Sequence, residues 1–243
     1  MREWASRISR SLRSRFNPPM LVDEVLYAIN RLFRFVSGDR WRIVKYFLVV
    51  QPIRADTESS MRSRETVIVS LAGPRHPMVG VFPRPPEVIQ HRFAKGATCF
   101  VAVAKDEFTG FLWLAWKEYE EDEIRCIYRF TDPSRSVWDF DVHVEPRYRM
   151  SRTFVRLWQA ANRYLAPQGI EWSFSRISAF NRGSLAAHAR LGARKLHSAL
   201  FFCFGNIQLS FFTLRPFVHF SASPRNTPII CLDVCRPANV DTA

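Results

Sequence analysis

Ser136-Val137-Trp138-Asp139-Phe140-Asp141-Val142-His143-Val144, followed by Glu145-Pro146-Arg147-Tyr148-Arg149, is the stretch on which the fold turns. Its first nine residues read as a strand with period-two alternation, and Pro146 ends it because proline has no N–H to give a ladder. By that period Asp139, Asp141 and His143 share one face. Arg152 to Leu165 then reads as a helix with Phe154/Val155, Trp158, Ala161 and Leu165 on one side. Glu171 to Ala179 follows as a strand, Ser184 to Leu191 as a helix closed by Gly192, and Lys195 to Phe204 as a strand.

Upstream, apolar residues at 21, 25, 29, 32/33 and 36 predict an amphipathic helix ending near Ser37-Gly38-Asp39. Trp41 to Pro52 is a buried strand by its Val, Ile and aromatic content, and Thr66 to Leu71 a shorter one. A helix runs from Pro85/Pro86 to Lys95, with proline in the first turn, where a missing N–H costs least. Ala97 to Lys105 and Phe111 to Tyr119 form a hairpin across Asp106-Glu107-Phe108-Thr109-Gly110. The acidic run Glu118 to Glu123 reads as a solvated hairpin end, with Glu123 within reach of an amine, and Ile124 to Phe130 as a further strand. Without even βαβ alternation, this order predicts an α/β chain of the α+β type: a mixed, mostly antiparallel sheet flanked by helices. Residues 1–39 are expected as a basic helical extension, 40–215 as one domain, and 216–243, with four prolines, as a C-terminal extension.

The chain has 243 residues, 47% of them hydrophobic, enough for a real core. Lys plus Arg number 35 against 22 acidic residues, a net charge of +13 that favours anionic partners. Residues 1–54 carry eleven of the bases and four acids, over half the surplus. Five scattered cysteines read as reduced thiols of a cytoplasmic protein, and Cys231 and Cys235 lack a second pair for a zinc site. No apolar run spans a bilayer and no secretory signal opens the chain. Trp4, Ile8, Leu12 and Phe16 form a stripe flanked by arginines that suits a packed helix, a targeting peptide or an anionic membrane surface. Glycine-rich phosphate loops, G-x-S-x-G and H-E-x-x-H are absent, and His143-Val144-Glu145 lacks the P-C-x-x-C of a zinc deaminase. Nucleic-acid binding would need exposed aromatics among the bases, and most aromatics here fall on core positions.

Two blocks carry a resemblance. Asp141-Val142-His143-Val144-Glu145-Pro146-Arg147-Tyr148-Arg149 resembles the strand end and pyrophosphate turn of the GNAT superfamily of N-acyltransferases. Asn181-Arg182-Gly183-Ser184, His188 and Arg190-Leu191-Gly192-Ala193 are similar to that family's following helix. The resemblance implies transfer of an acyl group from a phosphopantetheine thioester, acyl-CoA or acyl carrier protein, to an amine acceptor, small or lipid-like, without a metal. It also implies that backbone around Val142 and Val144, together with Arg147, Arg149, Met150, Ser151, Arg152, Thr153, Asn181 and Ser184, holds the donor. His188 falls where the family places a thiolate-protonating Tyr, though a structural histidine fits equally; Asp141, then His143, is the candidate base.

The residues agree independently. A helix starting after Pro146 offers free N–H groups and a positive dipole end, and Arg147, Arg149, Arg152 and Arg156 stand there with no acid between Glu145 and Glu171. The family's glycines are missing: Met150, Arg152 and Phe154 occupy those places. Either arginine side chains replace the backbone contacts, or the donor is a carrier protein whose acidic surface the +13 charge steers. The second option and long-chain acyl-CoA are favoured over acetyl-CoA. The N-terminal stripe and the Phe-rich stretch Phe201 to Phe220 suit core packing, acyl-chain binding or peripheral membrane contact. A non-catalytic acyl-thioester- or membrane-binding protein on the same fold is the rival reading.

Overall fold

The computed structural model describes residues 18–54 and 67–234; the Trp4/Ile8/Leu12/Phe16 stripe and Cys235 lie outside them. Helix α1 (Pro18–Ser37) leads into β1 (Trp41–Pro52), the long central strand. Then come β2 (Ile68–Ala72), α2 (Pro86–Ala94), β3 (Thr98–Ala104) and β4 (Glu107–Trp116). Short strands β5 (Glu118–Glu120) and β6 (Ile127–Phe130) precede β7 (Ser136–Val144), α3 (Thr153–Leu165), β8 (Trp172–Ser178) and α4 (Arg182–Arg190). The chain continues through β9 (Arg194–Phe204), β10 (Ile207–Phe212), β11 (Val218–Ser221) and β12 (Ile229–Leu232).

Nine strands make one sheet in the order β11-β10-β9-β1-β8-β7-β4-β3-β2. Every neighbouring pair is antiparallel except β7 with β8. The sheet is therefore mixed and mostly antiparallel, with helices on it, as the element order leads one to expect. Helices α3 and α4 cover one face: Leu157, Trp158, Ala161 and Leu165 bury the apolar side of α3 against Leu112, Leu114 and Val137. On the opposite face α2 brings Ile89 and Phe93 to Phe111 and Trp113. Beside it a second sheet, β12-β6-β5, stacks Tyr128 and Tyr119 on Trp138 with ring centroids 4.6 and 5.6 Å apart.

Two expectations change. The segment after Pro216, expected as an extension, supplies β11 to the large sheet and β12 to the small one, where Ile230 and Leu232 are buried. The acidic run is not a solvated end: Glu118 to Glu120 is a strand and Glu121 is buried. In the Phe-rich stretch the alternation of strands decides each ring's place. Phe201 and Phe212 enter the core, while Phe204, Phe211, Phe217 and Phe220 stay part-exposed or exposed. Among the described residues no helix is long and apolar enough to cross a membrane.

Where β4 meets β7 the backbones lie too close for a side chain at Gly110. A Cβ there would overlap the His143 carbonyl oxygen and lie 3.3 Å from both Thr153 Cγ2 and the Val144 Cα. Neither neighbouring backbone can yield without shifting the strand pair, so Gly110→Ala is expected to lower the unfolding free energy by about 1–3 kcal/mol in urea denaturation.

Candidate active site

The register of β7 holds the geometry that matters. Trp113 of β4 pairs with Asp141 and Leu114 with Asp139, which leaves Phe140 as an extra residue, a β-bulge. The bulge reverses the alternation. Asp139 points to the side of α3 and α4, while Phe140, Asp141 and His143 point to the side of α2. Asp139 therefore does not share a face with Asp141 and His143, contrary to the period-two expectation.

The same point marks the end of the one parallel pairing. β7 and β8 are bonded only from Ser136 with Trp172 to Asp139 with Ser175. Beyond it β7 follows β4 as far as Val144, and β8 follows β1 as far as Ser178. The two strands part, and the backbone edge of residues 140–144 on the β8 side has no strand opposite it. Val142 and Val144, expected at the donor site, line this edge and turn their side chains to the core under α3. Thr153, the first residue of α3, is buried against the end of β7, so the helix starts beside the gap.

Asp141 is engaged. Arg84 donates to both its oxygens, Nε to Oδ2 at 2.8 Å and Nη2 to Oδ1 at 2.7 Å, and Arg92 Nη1 adds a third bond at 2.7 Å. The two guanidiniums lie over Phe111, Trp113 and Phe140 at 5.0–5.5 Å. This clamp ties α2 and the turn before it to β7, and it occupies both carboxylate oxygens with guanidinium donors. Asp141, expected first as the base, thus stands in a clamp of two guanidiniums. His143 is tilted on Phe111 and stacked on Phe108, and its Nε2 lies 3.1 Å from Glu145 Oε1.

His188 is buried, with Phe154 and Trp158 edge-on at 5.3 and 6.0 Å, and its Nδ1 has no partner. Burial lowers its pKa, and the nearby Asp139 draws it part-way back. Asp139, accepting from Ser173 Oγ at 2.9 Å, has its own carboxyl raised by burial against the pull of His188 and the serines.

The turn after β7 folds on itself. The amides of Tyr148, Arg149 and Ser151 donate to the carbonyls of Glu145, Pro146 and Tyr148. Ser151 Oγ caps the Thr153 amide at 3.2 Å and bonds Thr153 Oγ1 at 2.9 Å. Met150 is 99% exposed and Arg152 also faces solvent. Arg147 is not free of acids, since Glu107 of β4 reaches it at 3.0 Å and also accepts from Tyr148. Arg149 leans its Nε on the Val144 carbonyl at 3.5 Å. Asn181 and Ser184 act locally: Asn181 Oδ1 accepts the Ser184 amide at 3.0 Å and caps α4.

One cluster escaped the sequence reading. Arg176, the first residue of β8 beyond the parting, forks onto Glu121, with Nη2 to Oε1 at 2.6 Å, and lies over the Tyr46 ring at 4.9 Å. Tyr46 in turn donates to Glu123, and Asp122 stands exposed 3.7 Å from Arg176. Burial pushes Glu121 up to about 7 against the attraction of Arg176. The acids thus reach the parted strands on the face opposite α3 and α4. An arginine in the otherwise apolar-facing series Trp172, Phe174, Arg176 is the sequence signal that a buried acid awaited it.

No family model and no curated protein matches the chain. Among solved structures it is similar to a functionally unknown conserved protein from Staphylococcus epidermidis, at 12% identity over 72% of this chain and 67% of that one, with a TM-score of 0.49. A tandem GNAT protein from the clavulanic acid biosynthesis pathway is 13% identical over 71% of this chain and 57% of its own, with a TM-score of 0.43. The aminoglycoside N-acetyltransferase AAC(6')-Iy in complex with CoA is 18% identical over 52% and 86%, with a TM-score of 0.41. Likeness at this level carries no argument, and the site stands on its own register and contacts.

Removing the Asp141 carboxylate leaves Arg84 and Arg92 facing each other across aromatic rings. Asp141→Ala is expected to lower stability by about 3 kcal/mol in urea denaturation, in line with breaking a buried ion pair. For the histidines, a proton NMR titration is expected to show His188 and His197 less than half-charged at pH 6.5, where an unperturbed ring is half-charged, because burial lowers both. Signals lost in His188→Gln and His197→Gln assign them.

Proposed function

We propose that this chain is an N-acyltransferase of the GNAT type, taking an acyl group from a phosphopantetheine thioester and giving it to an amine. The observation that carries the reading is the parting of β7 and β8 just after a bulge, at the start of α3, within the stretch whose residues resemble that family. An extended arm with amide groups fits an unpaired strand edge, which offers it alternating donors and acceptors. Its phosphates would meet the first-turn amides of α3 and the exposed Arg152, with Arg149 close by.

The acceptor comes from the other face, where Asp122 and Glu123 favour an ammonium group and His143 is half-buried at the end of β7. His143, oriented by Glu145, takes the proton that the amine must lose before it attacks the thioester carbonyl. A tetrahedral oxyanion follows, held by a backbone N–H of the free edge, and collapses with departure of the thiolate. The thiolate takes up the proton that His143 removed from the amine, passed on through water, and the N–H of the buried His188 can hydrogen-bond that sulfur without giving up its proton. A carrier-protein donor suits the glycine-free turn better than a CoA pyrophosphate, because the turn's amides at Tyr148, Arg149 and Ser151 are already used, and long-chain acyl-CoA is the second donor proposed.

That same self-bonded turn, with Phe154 against His188, favours a second reading: an acyl-thioester-binding protein without turnover. Thiol release settles between them. The full chain is incubated with acetyl-CoA, palmitoyl-CoA or acylated carrier protein and a panel of polyamines, aminoglycosides and long-chain amines. Transfer is expected from the long-chain or carrier donors, with kcat lowered roughly 10²–10⁴-fold in His143→Ala. A donor that raises the melting temperature yet releases no thiol supports the binding protein. Absence of both effects sinks both readings.

A further inference from the structure

A groove of about 370 Å³ runs between α3, the end of α4 and the end of β1, on the helix side of the sheet. It is apart from the parted strands. Its floor residue Gln51 pairs in register with Ser173, near the start of β8, whereas the gap opens beyond Ser175. The volume is that of a small-ligand site.

Three polar atoms of its lining are buried without a hydrogen-bond partner: Gln51 Oε1, Asn162 Oδ1 and Trp158 Nε1. Gln51 is 2% exposed and Trp158 1%. Buried polar groups are nearly always paired, so three along one groove mark places for a ligand's own donors and acceptors. The rim is cationic. Arg54 and Arg190 line it, and neither has a carboxylate partner among the described residues. Gly192, at φ +89°, leaves room for the Arg54 guanidinium, whose Nη2 would lie 3.4 Å from a Cβ at that position.

An occupant must then be anionic at one end and rich in neutral donors and acceptors at the other. Hydroxyl groups answer both amide oxygens and the indole N–H, and a phosphate answers two guanidiniums. We propose that the groove binds a small phosphorylated polyol, its hydroxyls on Gln51, Asn162 and Trp158 and its phosphate between Arg54 and Arg190. This goes beyond the acyl-transfer reading and does not depend on it.

The test is an NMR titration of the full chain, read at the tryptophan indole N–H signals, with that of Trp158 identified by its loss in Trp158→Phe. Glucose 6-phosphate or glycerol 3-phosphate is expected to move the Trp158 signal with at least tenfold tighter binding than inorganic phosphate or glucose. Gln51→Leu and Arg190→Ala are each expected to weaken that binding tenfold or more, with Asn162→Leu in place of Gln51→Leu where the latter does not fold. A Trp158 signal that stays still with both sugar phosphates overturns the proposal. So does equal affinity for inorganic phosphate or glucose, or binding unchanged in the variants. Displacement of the sugar phosphate by coenzyme A also overturns it, because the groove would then belong to the acyl donor.

Discussion

The extra residue at Phe140 is the constraint on which the rest of the site depends. Had β7 kept its ladder with β4 in plain register, Asp139, Asp141 and His143 would have faced one way, and three polar groups would have competed for one environment. With two residues opposite one, the strand bends and its alternation reverses. Asp139 goes under the helices to Ser173 and His188, and Asp141 goes to the arginines of the α2 side. The bend coincides with the loss of bonding between β7 and β8, so one local insertion both opens the backbone edge and sorts the polar side chains around it.

Charge is distributed by the same logic. A chain with a surplus of +13 still places two acids, Glu121 and Asp141, at the core's edge, where each holds cations. Glu121 holds Arg176, and Asp141 holds Arg84 and Arg92. Each arginine also lies on an aromatic face, where guanidinium stacking replaces part of its hydration. The polar groups near the parted strands are thereby fixed by rings on one side and opposite charges on the other.

Much of the fold could be read from the chain, because its strands and helices carry strong local signals. The alternation of Ser136 to Val144, the apolar stripe of α3 and the Gly192 stop each mark an element where one stands. The bulge could not be read, since an extra residue exists only relative to a partner strand. The acidic run looked solvated because its cation, Arg176, lies 55 positions from Glu121. Strand β12 hides as four residues just after Pro228. At the site, Asn181 and Ser184 had a simpler local meaning as a helix cap, which the Asn-x-x-Ser spacing at a helix start already carries. Arg147 looked unpartnered because Glu107 approaches from the far hairpin.

The central position of β1 has a consequence for synthesis. Both its neighbours, β8 and β9, are made long after it, at Trp172 and beyond. At 5–20 residues per second the strand waits roughly 6–24 s on the ribosome before either can reach it. Throughout that wait it is a twelve-residue apolar segment with two open edges. Helix α1, made just before it, is the cover at hand: Asp23 meets Lys45, and the Asn30 side chain accepts the Ile43 amide. The leading helix thus stands beside the strand from the start and keeps its bonds to it in the finished sheet.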